Sequence, residues 1–261
     1  MRLSPEQLQH WAKKGFLILP QVASSEILSS LVTESMRAWT ETKGVFEEGA
    51  SWLQNALLPN VHHHSAAVCR YYFTGPLVDV ATQLIGPNVK AATSQLTFKL
   101  RGNTQTFGWH QDNGYGELSP ANAISTLTAF DDTDENNGCL WVMPGSHNDG
   151  QIDVSNVYSA ADKEAGHPLN IPVTNMSDAV PVKLRAGDAV ILHCHLLHRS
   201  EGNHSADRDR RILFLRYADA DAVEVYNNNA PRLGTLLRGS TKFEQVREFE
   251  RELWPDQPYQ T

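Results

Sequence analysis

The chain has 261 residues, 41% of them apolar, and a formal net charge of −8. That length suits one large domain or two small ones, with enough apolar material to bury a substantial core. The acidic balance argues against nucleic acid or an anionic membrane as a partner, because both attract basic faces.

Three well-separated cysteines, Cys69, Cys139 and Cys194, give neither a disulfide framework nor a CxxC pair, which suits a reducing cytoplasm. The opening "MRLSPEQLQHWAKKGFLIL" carries charges and glutamines where a secretory leader needs an apolar run. No stretch approaches the roughly 20 apolar residues of a spanning helix. These features lead us to expect a soluble, cytoplasmic protein.

Ser4-Pro5-Glu6-Gln7 reads as a helix start, with a serine cap, proline at the first helical position and glutamine three residues after the cap. That helix should end near Gly15, and "FLIL" after it reads as a short buried strand. Residues 25–40 place Ile27, Leu28, Leu31, Val32 and Met36 on one helical face. Residues 41–65 hold Gly44, Gly49, Pro59 and the run His62-His63-His64, and read as a loop with at most one helical turn, its histidines in solvent. A further helix follows Pro76 and stops at Gly86-Pro87.

From Val89 the texture changes to short β-type runs: "SQLTFKL", "AISTLTAF", "GCLWVM", "AVPVKL", "DAVILHCH" and "RRILFLRYA". Asn136-Asn137-Gly138 and Ala186-Gly187-Asp188 are among the turns between them. This spacing predicts a sandwich or barrel of antiparallel strands. The polar stretch 146–178 is longer than a compact domain usually leaves idle and is expected to cover a site. "STKFEQVREFERELW" reads as one polar helix over about 240–254. The economical reading of 1–261 is one domain: a helical buttress over about 1–88, a β core over about 89–220, and the C-terminal helix.

Chemistry concentrates in "GWHQDNGYGELSP". Side chains two apart on a strand share a face, so His110 and Asp112 can reach one metal ion from a strand end. A third ligand must come from elsewhere, and "ILHCHLLHRSEGNHSADRDRR" offers His193, His195, His198 and His204. Two histidines and a carboxylate on one face of a metal suit non-haem Fe(II) with its opposite positions open. Zinc accepts the same ligand types. His193 and His195 could themselves be a ligand pair. Trp109 should pack beside His110, and His147 in "PGSH" should bond to backbone.

The HxD pair, "NNGCLWVMPGSH" and "GDAVILHCHLLHRSEGNHSADRDRRILFLRY" follow in that order. Together they resemble the phytanoyl-CoA dioxygenase family of Fe(II)- and 2-oxoglutarate-dependent oxygenases, over about residues 16–217. The resemblance implies a mainly β fold with flanking helices around a double-stranded β-helix, a cupin-like jelly roll. It implies Fe(II) as the metal, 2-oxoglutarate as cosubstrate and O2 as oxidant. His110, Asp112 and His198 then match the metal ligands, and Ser200 and an arginine of the Arg210-Arg211 pair match the cosubstrate clamp. Arg210 is the expected clamp, its assignment over Arg211 depending on where a one-residue gap falls. Gln95 occupies a position that often contacts the cosubstrate, and Tyr115 is a substrate-side candidate. Arg199 stands where the family favours glycine, and Leu127 where it often has an aromatic residue.

The presence of Asp112 favours hydroxylation, desaturation or ring closure over halogenation, since related halogenases lack the acidic ligand. A metal hydrolase or isomerase on the same barrel would not need Arg210 and Ser200. A non-catalytic binding protein would not need three ligands. No strongly basic entrance of the kind a coenzyme A phosphate favours is visible, and neither substrate nor oligomeric state is legible.

Overall fold

A computed structural model describes residues 1–43, 57–102, 104–159, 161–162 and 168–253. Trp52 and residue 254 lie outside them.

The N-terminal signals act as read. Helix α1 (Pro5–Lys14) has Ser4 and Gln7 in a reciprocal capping box, and Gly15 closes it in the left-handed region at φ 76°. Strand β1 (Phe16–Leu19) and helix α2 (Ser25–Lys43) follow. Next come β2 (Leu57–Pro59), α3 (Ala66–Thr74), α4 (Pro76–Leu84) and β3 (Val89–Lys99). The remaining strands are β4 (Phe107–His110), β5 (Leu118–Ser119), β6 (Ala123–Ala129), β7 (Leu140–Val142), β8 (Val180–Val182), β9 (Ala189–His193), β10 (His198–Ser200), β11 (Arg210–Asp219), β12 (Val223–Glu224), β13 (Ala230–Pro231) and β14 (Thr235–Arg238).

The major sheet runs β1-β9-β6-β11-β3-β14, with β2 added to β3, and faces a smaller sheet ordered β4-β10-β7-β8. Period-2 alternation sorts the central strands of the major sheet. On β11, Leu213, Leu215 and Tyr217 join a core shared with the helices, while Ile212 belongs to a second core between the sheets. β3 does the same: Leu96 and Phe98 face the helical core, while Thr93, Gln95 and Thr97 line a cavity. Every residue of β6 is buried, as expected of a strand covered on both faces. The mainly β, jelly-roll expectation holds. No helix among the described residues is long and apolar enough to cross a membrane.

One reading needs correction outright and another at a single residue. The C-terminal segment is not one helix: α5 spans only Glu244–Glu248, and a 3-10 turn follows at Arg251–Leu253. The break falls at Glu250, whose φ of 54° is left-handed. Its carboxylate is taken by Thr235, by His63 at 2.7 Å and by His62 at 3.4 Å. Those contacts also take His62 out of solvent, while His63 and His64 stay exposed as expected. His62 is buried, its ring bonded to Ser94 Oγ at 2.6 Å, and His64 alone of the three makes no such contact. Long-range hydrogen bonding here overrides a local pattern that looked helical in one segment and buries one histidine, His62, of the otherwise exposed run in the other. Helix α3, capped by Ser65, buries Val68, Cys69, Tyr72 and Phe73 and is not among the expected elements.

Candidate metal centre

The backbone ladder brings the HxD segment and the distal histidine together. His198 at the start of β10 pairs in register with His110 at the end of β4. Their rings lie 4.2 Å apart, centroid to centroid. The strand stops at His110 and Asp112 opens a 3-10 turn, but Gln111 between them is still extended (φ −105°, ψ 143°). Alternation therefore persists for one more residue and turns Asp112 to the His110 side. Gln111 points the other way, donating to the carbonyls of Gly150 and His195 and accepting from Ile152 N–H.

The three candidate ligand atoms converge. Asp112 Oδ1 is 3.9 Å from His110 Nε2 and 3.6 Å from His198 Nε2, and all three residues are buried. Each histidine donates Nδ1–H to the carbonyl two residues before it, His110 to Gly108 at 2.8 Å and His198 to Leu196 at 2.9 Å. A carbonyl only accepts, so the proton sits on Nδ1 and Nε2 keeps its lone pair for the centre. Ser125 of β6 donates its hydroxyl to the other oxygen of Asp112.

The electrostatics favour the ligand-competent protonation states. Burial, with help from His198, pushes His110 down to about 4. Burial opposes ionisation of Asp112, but His198, Arg216, His110 and the Ser125 hydroxyl together hold its carboxyl below the ordinary value. A neutral imidazole and an ionised carboxylate are the forms that bind a metal. This N/O donor set fits Fe(II), with the opposite side of the centre facing a cavity.

That cavity, of about 380 Å³, receives every other predicted site residue: Arg210, Ser200, Gln95 and Tyr115. The two adjacent arginines part company by strand parity. Arg211 turns outward into a two-pronged pair with Asp131, at 2.9 and 2.6 Å. Arg210 is 4% exposed, faces inward, and its Nε has no hydrogen-bond partner. Burial lowers the Arg210 guanidinium to about 10, so it stays charged at neutral pH. A buried, unpartnered guanidinium is suited to a carboxylate. Tyr115 stands edge-on to His110 at 5.3 Å, its hydroxyl accepting from Leu169 N–H.

Arg199 shapes the wall without competing for the site. Its guanidinium lies over Trp109 and Trp141, at 5.2 and 5.7 Å from their ring centres, and pairs with Glu201 at 2.6 Å. Leu127 also lines the cavity. From the long polar stretch, Tyr158 and Pro168 reach the cavity, and Leu169 and Ile171 pack on Trp109 and Leu197. His147 bonds to the carbonyl of Ala12, as expected.

Not every histidine joins the centre. His193 and His195 cluster with Cys194, and His62 and His63 with Glu250, but none of these lines the cavity. His204 is exposed. Sequence reasoning missed Ser125, Arg216 and Lys99. Lys99 is buried, donates to the backbone carbonyls of Ser200 and Glu201, and is pushed down to about 6, chiefly by burial and then by Arg210. For Arg216 and Lys99 the signal was available, as polar residues on the inward face of strands whose other face is largely apolar; Ser125, on a strand with threonines on its opposite face, had no such signal.

The comparisons with known proteins agree with this geometry. The family model "Phytanoyl-CoA dioxygenase (PhyH)" matches residues 11–212. Phytanoyl-CoA dioxygenase 1 of Oryza sativa subsp. japonica is 32% identical over 120 residues, which is 46% of this chain but only 41% of the rice protein. Methylphosphonate hydroxylase of Gimesia maris is 26% identical over 238 residues, 86% of this chain and 85% of that one. The crystal structure of EctD from S. alaskensis with 2-oxoglutarate and 5-hydroxyectoine superposes with a TM-score of 0.69 at 20% identity, covering 92% of this chain and 88% of the other. The chain belongs to the phytanoyl-CoA dioxygenase family of Fe(II)- and 2-oxoglutarate-dependent oxygenases.

Proposed function

We propose that this enzyme hydroxylates an unactivated C–H bond of a small molecule. His110, Asp112 and His198 would hold Fe(II), and Arg210 would bind the far carboxylate of 2-oxoglutarate. When bound, iron and 2-oxoglutarate together supply the O2-derived oxidant, with release of succinate and CO2. The observation that carries the reading is the pairing of one buried two-histidine, one-carboxylate cluster with one buried, unpartnered arginine on the walls of the same cavity.

The chain's own residues divide the remaining work. Arg210 anchors the cosubstrate by a charge-assisted, two-pronged contact. Ser200 offers a hydroxyl and Gln95, opposite Phe214 on β3, an amide on the wall of the same cavity. Ser125 holds Asp112 so that its second oxygen stays turned to the metal. Trp109, Leu169, Ile171 and Leu197 form an apolar block that packs the segment carrying His110 and His198. The three cysteines are buried and unbridged, which fits a cytoplasmic enzyme.

A hydrolase or isomerase has no use for the Arg210 position. Incubation with Fe(II), 2-oxoglutarate and O2 under a panel of small-molecule substrates tests the proposal directly. Succinate release stimulated by one panel member is expected. Turnover of a substrate with no 2-oxoglutarate consumption would refute it.

A further inference from the structure

The cavity wall carries a second inward guanidinium that the reaction above does not use. Arg210, Ile212, Phe214 and Arg216 alternate along one face of β11, and all but Ile212 line the cavity. Arg210 and Arg216 are six residues apart, about 20 Å along an extended strand. Arg216 lies at the metal end. It pairs in register with Ser125, whose hydroxyl holds Asp112, and its Nη2 donates to Asn113 Oδ1 at 2.6 Å.

Its charge is not matched. Among the described residues Arg216 forms no ion pair, and its Nε is buried with no hydrogen-bond partner. Asn113 is a neutral acceptor. Asp112 is near enough to feel Arg216, but its Oδ2 is taken by Ser125 and its Oδ1 faces the two histidines. The other cations are accounted for: Arg199 by Glu201 and Arg211 by Asp131. With the proposed cofactors bound, iron and Arg210 balance Asp112 and the two carboxylates of 2-oxoglutarate. Arg216 is then left without a counter-charge, beside the metal, on a cavity wall. Arg216 is half-buried with its Nε fully covered, and holding a partly desolvated guanidinium without a counter-charge is costly unless a ligand supplies the missing anion.

We infer that Arg216 is a specificity-determining residue that takes an anionic group of the substrate, a carboxylate or a phosphonate, and so selects small acids over their neutral counterparts. This rests on the oxygenase reading above. The anionic group docks on the free edge of the guanidinium, Asn113 fixes the other edge, and the neighbouring carbon chain is held beside the metal. Tyr115 and Tyr158, edge-on to each other at 5.9 Å, close that side of the cavity with apolar ring surface.

The test is binding, not turnover. Protein loaded anaerobically with Fe(II) and 2-oxoglutarate is titrated with butyrate, propylphosphonate and butyramide. Binding is followed by calorimetry and by the shift each causes in the visible iron–oxo-acid band. One of the two anions should bind at least about tenfold more tightly than the amide, and which one names the group. In Arg216→Gln that preference should fall to within about threefold, while 2-oxoglutarate affinity changes by less than about threefold. Arg216→Lys, with its melting temperature checked alongside, should restore part of the preference.

Equal binding of the amide overturns the inference, as does failure of both anions to bind at millimolar concentration. So does a preference that survives Arg216→Gln. A loss of 2-oxoglutarate affinity in Arg216→Gln as large as the loss of anion affinity would instead assign the residue to the cosubstrate. Absence of the visible band in unaltered protein would mean that the oxygenase reading itself has failed, a result distinct from all of these.

Discussion

His110 and His198 use one device twice. Each sends its Nδ1 proton to the carbonyl two residues back and so presents Nε2 to the centre. Asp112 is fixed from a third strand by Ser125. Replacing His110, Asp112 or His198 by alanine should abolish turnover and iron retention after desalting. Ser125→Ala should leave the fold intact and weaken iron about 10- to 100-fold, measured by competition with a chelator. Arg210→Ala should raise the 2-oxoglutarate KM by about two orders of magnitude, since it removes a buried charged partner, while Arg211→Ala should change it less than about threefold. The reverse ranking would show that the outward arginine is the functional one. The ligand residue types and their order were legible in the sequence. The choice between two adjacent arginines was not, because it depends on strand parity, and parity is fixed by which face of β11 meets the helices.

At the scale of elements, strands were read more easily than helices. Alternation in "SQLTFKL" and "RRILFLRYA" marks both the strand and its two faces, because each face meets a different environment. The C-terminal segment misled, since the helical pattern of residues 240–254 says nothing about a buried partner far away in the chain. Burial opposes ionisation of Glu250, yet hydrogen bonds from His62, Thr235 and His63 hold its carboxyl at about 2, below the ordinary 4.5. A carboxyl depressed in the folded state stabilises fully above pH 4.5 and loses that contribution as pH falls from 4.5 toward 2. Allowing for residual solvent screening of this mostly buried side chain, Glu250→Gln should cost about 1–2 kcal/mol at pH 7. The gap between variant and parent in urea denaturation should narrow steadily below pH 4.5. A gap independent of pH would mean that the ionised carboxylate is not what fastens this segment.

For the whole molecule, the two cores are built from apolar side chains on both faces of the major sheet and do not include the metal ligands. Chelation should therefore leave the protein folded, and adding Fe(II) with 2-oxoglutarate should raise the melting temperature in a concentration-dependent way. The fold class was legible from the run of short β segments, but the shape of the cavity was not. Its floor and walls come from seven strands, β2, β3, β4, β6, β7, β10 and β11, and from turns far apart in sequence.

The central claim is that one cavity binds iron through His110, Asp112 and His198 and 2-oxoglutarate through Arg210. The most direct test is an anaerobic titration of metal-free protein with Fe(II) and then 2-oxoglutarate, followed in the visible. A charge-transfer band that saturates at about one equivalent and is lost in Arg210→Ala, but kept in Arg211→Ala, is the predicted result. Bound iron with no band, or a band indifferent to Arg210, would contradict the claim.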